Sequence, residues 1–102
     1  MINNDLIEQK ITILIESLKS VVDEIEQNKD LPQDKLMDIW YKHKERMNIE
    51  RNGLLGLLFE ELNLNNEKKQ GEADVVGTVF FEKTNNAIDE FYKNKVKPLI
   101  YS

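Results

Sequence analysis

The sequence predicts an all-α fold: an elongated bundle of three long helices, over about 5–28, 33–62 and 73–95, completed by dimerisation. Three observations predict it. Ile7, Ile11, Leu14, Leu18, Val21 and Ile25 recur at alternating spacings of four and three, a heptad seam of coiled-coil type. Leu36, Trp40, His43, Met47, Leu54 and Leu57 form a second series in one such register, after a break at Asn28-Lys29-Asp30-Leu31-Pro32. No segment alternates convincingly in the two-residue period of a half-buried strand.

The first helix starts at Asn4 or Asp5 as cap, with Glu8 placed to reach back as a capping-box partner. Ile15 and Val22 widen its apolar stripe, and Lys29 near its end suits the helix dipole. At 1.5 Å per residue it should run for about 36 Å. The second helix is expected to be capped by Asp30 with Gln33 as its box partner, Pro32 being tolerated in the first turn. Asn52-Gly53 is the obvious place for it to break, since both residues form helices poorly. The register nevertheless passes through the pair without a phase shift, so a continuous or kinked helix to about Leu62 is expected. Gly53 and Gly56 would then allow another helix to approach closely.

Asn63 to Gly71 is polar and turn-rich and reads as an exposed loop. Beyond it, Val75, Val76, Val79, Phe80, Ala87, Ile88, Phe91 and Tyr92 fit a third helix. Glu72 and Asp74 at its start and Lys93 and Lys95 at its end match the dipole. The run from Val75 to Phe81 has the β-branched and aromatic residues of a strand, but a lone strand would have no partner here. Pro98 should end the helix and leave Leu99-Ile100-Tyr101 as a short apolar tail.

The 102 residues fit one domain, 1–102. Helices of about 30 Å are long for a domain whose radius of gyration should be near 13 Å. The wide stripe on the first helix therefore looks like more apolar surface than two neighbours cover, and a C2 dimer through that seam is expected.

Composition excludes several functions. With no cysteine, neither a disulfide framework nor a thiolate metal site can form. A net charge of -5 argues against nucleic-acid binding by phosphate neutralisation. Gly53 to Phe59, the longest nearly continuous apolar stretch, is far short of the roughly 20 residues that span a bilayer. No basic patch and apolar run of a secretory signal opens the chain, so a cytoplasmic protein is expected. Asn, Lys and Ile make up 33 of the 102 residues, and their AT-rich codons suggest a low-GC bacterium or its phage.

Residue chemistry points to binding more than to catalysis. His43 falls in the apolar register of the second helix and no Glu-x-x-His is present, so the di-iron bundle pattern fails. Ser17, Ser20, Thr78, Thr84 and Ser102 lie in no nucleophile elbow, and no glycine-rich phosphate loop exists. Lys42, Lys44, Arg46 and Arg51 are basic, but they do not share one helix face and are interleaved with Glu45, Asn48 and Glu50. They read as a solvated, salt-bridged face. Trp40 and Tyr41, with Lys44 and Arg51 nearby, have the residue types that anchor protein partners, although core packing is the more ordinary role for Trp40.

One acidic constellation supports a rival reading. Glu60 and Glu61 before the loop and Glu72 and Asp74 after it could gather around a hard cation such as Mg²⁺. The segment from 60 to 81 resembles all-α nucleotide pyrophosphohydrolases of the MazG kind. That family pairs a Glu-Glu-x-x-Glu helix with a Glu-x-x-Asp helix and holds Mg²⁺ and a triphosphate between them. Here the third glutamate is missing, and Glu72-Ala73-Asp74 has a spacing that turns its two acids onto different faces. The resemblance would imply Mg²⁺-dependent hydrolysis of a nucleoside triphosphate. The expectation preferred on the residues themselves is a small acidic protein–protein interaction module without catalysis, metal or cofactor. By base rate this would be a regulator, an immunity protein or an inhibitor.

Overall fold

The computed structural model describes residues 4–101, and among them every regular element is helical. Helix α1 spans Asn4–Gln27, α2 spans Gln33–Glu61 and α3 spans Gln70–Phe91. A 3-10 turn, Glu67–Lys69, precedes α3, and a π turn, Tyr92–Val96, joins it to a last helical turn, α4, Lys97–Ile100. The molecule is a rod of 54 × 19 × 16 Å with a radius of gyration of 16.0 Å. No helix is long and apolar enough to cross a membrane among the described residues.

The seam of α1 is the spine of the rod. Ile7, Leu14, Leu18, Val21 and Ile25 are fully buried and Ile11 nearly so, all within a single chain. A dimer through these six side chains would have to displace α2 and α3 from them. The wide stripe is covered within the chain, by α3 and α4 in addition to α2, all of which pack on α1.

Two apolar clusters stack along the spine. One gathers Leu18, Val21 and Ile25 with Leu36, Trp40, Met47, Ile88, Val96 and Ile100. The other gathers Ile7 and Ile11 with Leu58, Leu64, Ala73, Val76 and Phe80. Ile15 and Leu54 pack against both.

Helix α2 runs unbroken through Asn52-Gly53, and a Cβ added at Gly53 or Gly56 would meet nothing within 4 Å, so no helix approaches closely at either glycine. Its inward register is not the expected one throughout. Leu58 is fully buried while Leu57 is 49% exposed. A helix of 3.6 residues per turn drifts from a strict 3.5 repeat, and three turns beyond Met47 the inward position has moved to Leu58.

The ends of the helices also correct three expectations. Asn4 and Asp5 lie inside α1, and Glu8 pairs with Lys83 at 3.0 Å instead of capping. Pro32 takes the N-cap position of α2, with its carbonyl accepting from Lys35 and Leu36, and no side chain caps that helix. The Asp30–Gln33 box is therefore absent. At the other end of α2 the chain closes a Schellman motif. Asn63 adopts φ 56°, its N–H donates to the Glu60 carbonyl, and Leu64 N–H donates to the Phe59 carbonyl. Leu64 is buried in the second cluster, the usual apolar partner of such a turn.

Pro98 does not stop the last helix. Proline lacks an N–H and its ring would press on the carbonyl four residues back, which breaks an ordinary α ladder. The wider π turn over Tyr92–Val96 changes that ladder just before the proline, and the helix resumes with Pro98 in its first turn. Leu99 and Ile100 of the expected apolar tail are thus helical, with Ile100 buried in the core and Tyr101 exposed just beyond the helix.

Candidate partner-binding surface

Trp40 and Tyr41 are adjacent in sequence and opposite in placement. Trp40 is 4% exposed, its ring 5.1 Å from that of Tyr92, within the first core cluster. Tyr41 is 55% exposed. The Tyr92 phenol, which donates to the Met37 sulfur, is pushed above its ordinary pKa by burial, then by the nearby phenols of Tyr101 and Tyr41. Lys44, one turn beyond Tyr41, is exposed, and among the described residues it makes no ion pair.

The basic residues of α2 divide between its two neighbours. On the α1 side, Lys42 donates to Glu24 at 2.7 Å. Arg46 donates to the Ser17 hydroxyl and carbonyl, to Ser20, to Glu50 and to Nδ1 of His43. Arginine has no acceptor, so His43 Nδ1 accepts, and the ring hydrogen sits on Nε2 and donates to Glu24 at 2.9 Å. With both ring nitrogens engaged and 7% of its surface exposed, His43 has no free lone pair with which to act as a base.

Hydrogen bonds from Lys42 and then His43 hold the Glu24 carboxyl below its ordinary pKa, against a smaller opposing effect of burial. A lowered folded pKa means the unfolded chain binds the proton more tightly, so this contribution is complete above pH 4.5, the ordinary value. It is lost as pH falls through the lowered folded pKa. Urea midpoints for the native chain and Glu24→Gln should therefore differ by a constant amount at neutral pH and converge in acid. A gap that widened toward acid would contradict this assignment.

On the other side, Arg51 reaches toward α3. It donates to Asn85 and Asn48, and its guanidinium lies 4.5 Å over the Phe81 ring. Burial draws its pKa below the ordinary value, and its Nε has no hydrogen-bond partner. A cation–π contact of this kind contributes about 0.5–1 kcal/mol.

Helices α2 and α3 meet sparingly, and the seam between them opens as a groove of about 520 Å³. Phe59, Ala73, Gly77 and Phe81 form its apolar surface, and Asp74, Thr78, Glu82 and Asn85 line it on the α3 side. Gly77 makes the depth: a Cβ there would sit 3.8 Å from Phe59 Cζ, so a longer side chain would have to enter the opening.

The four acids of the rival reading do not converge. Glu61 pairs with the buried Lys10 at 2.8 Å, and Asp74 accepts from Gln70 at 3.0 Å. Among the described residues no group of three or more acidic, histidine or cysteine side chains could hold a metal ion. Comparison of the chain with known protein families, curated proteins and solved structures gives no match.

The sequence singled out Trp40, Tyr41, Lys44 and Arg51; the structure buries Trp40 in the core, places Tyr41 and Lys44 on the surface and sets Arg51 across the α2–α3 seam. The groove itself was missed. Its walls come from two helices, and the only local signal was a glycine one turn before Phe81 in an otherwise bulky run.

Proposed function

We propose that the chain is a protein-interaction module, with Tyr41, Lys44 and the open α2–α3 seam as its contact face. The observation that carries this reading is the seam: the α2–α3 pair stays open along an aromatic-lined groove, and α2 also exposes a tyrosine farther along its length. Tyrosine and arginine concentrate binding energy at protein interfaces, and a tyrosine loses little conformational freedom when a partner covers it. The exposed Ile49 and Leu57 lie on other parts of the α2 surface, and self-association, where it occurs, has such outward residues to use in place of the α1 seam.

Affinity capture from a lysate tests the reading. Tyr41→Ala and Lys44→Ala should each lower recovery of the captured protein several-fold while helicity and the unfolding midpoint stay within the range of a surface change, about 0.5 kcal/mol. Equal recovery by both variants would remove this face from the contact. Trp40→Ala is the wrong probe, because it damages the core.

A further inference from the structure

We infer that the α2–α3 groove receives one amphipathic helix of a partner protein, apolar on the buried face and basic along its flank; this rests on the interaction reading above. The occupant is helical because the groove lies between two helices and offers no strand edge; a helix laid there would complete a four-helix arrangement. Its apolar face is set by Phe59 and Phe81, with the gap at Gly77 between them taking a side chain.

Its charge is set by the α3 wall. Asp74 and Glu82 both line the groove, both are exposed, and among the described residues neither is paired with a cation. Arg51, which crosses the same seam, is already held by Asn48, Asn85 and the Phe81 ring. The two acids stand eight residues apart along α3, about 12 Å, which matches basic residues roughly two turns apart on a facing helix. A second copy of this chain, with its net charge of -5, is repelled overall by the same acidic wall.

The test uses the full chain and two synthetic helical peptides of about five turns. Both carry the same leucine stripe; one has lysine and the other glutamate at the flanking positions. The lysine peptide should bind at least about tenfold more tightly and shift the amide resonances of Phe59, Gly77 and Phe81. Gly77→Leu, which fills the groove, and Glu82→Lys, which leaves the core untouched, should each weaken it by about tenfold. Equal affinity for the two peptides, resonance shifts confined to other faces, or indifference to both variants would overturn the inference. So would concentration-dependent self-association abolished by Gly77→Leu, since that would seat a second copy in the groove. If the peptides fail while lysate capture remains sensitive to Tyr41→Ala, the groove inference falls and the interaction module stands. If capture also ignores Tyr41 and Lys44, both fall.

Discussion

Trp40→Ala should lower the stability of the chain by about 3–5 kcal/mol, whereas Tyr41→Ala should change it by no more than about 0.5 kcal/mol. The indole is 4% exposed and is packed by Tyr92 and its cluster partners, so truncation leaves a cavity as well as losing apolar burial. A chain of this length is typically stable by about 5–15 kcal/mol, so the loss is a large share of the total. The thermal midpoint should fall by about 12 °C or more, read by far-UV circular dichroism because the substitution removes the only tryptophan. A fall of a few degrees would mean that Trp40 is held loosely and that the first cluster does not depend on it. The contrast separates a residue that holds the fold from a neighbour free to meet a partner.

How much of this was legible in the sequence differs from helix to helix. The α1 seam could be read residue by residue because each of its six positions is aliphatic and their neighbours are mostly polar. Helix α2 was legible as far as Met47. Beyond it the leucines come in pairs, 54–55 and 57–58, and a heptad template cannot choose within a pair once the drift of a straight helix has accumulated.

The helix ends were read less well, for a different reason. Each candidate capping box is a local pattern, but a carboxylate also pairs across the fold, as Glu8 does with Lys83. Pro98 reads as a stop because the rule for proline in a helix interior assumes an α ladder, and a π turn removes that premise. The aromatic and basic residues of α2 could be listed from sequence, but not their division. Which of them is buried, engaged with α1 or left facing the seam depends on where α1 and α3 flank α2. The groove was the least legible feature, being a space between two helices lined in part by a residue without a side chain.

The second large effect is expected at the far end of the rod, where Phe80→Ala should also cost about 3–5 kcal/mol. Phe80 is fully buried and is the largest such side chain among the described residues, amid Ile7, Ile11, Leu58, Leu64 and Val76. Its effect should reach Trp40, which belongs to the other cluster. Helix α1 contributes to both clusters without a break, and Ile15 and Leu54 pack against both, so loss of one cluster removes contacts from the other. In Phe80→Ala, urea unfolding followed by Trp40 fluorescence and by circular dichroism at the helix band should therefore shift together, with coincident midpoints. Tryptophan fluorescence reports the first cluster alone, while dichroism reports every helix. A dichroism transition that began ahead of the fluorescence would show the rod melting from the Phe80 end and the two clusters acting as separate cooperative units. Coincidence means that the groove is presented on a single cooperative unit.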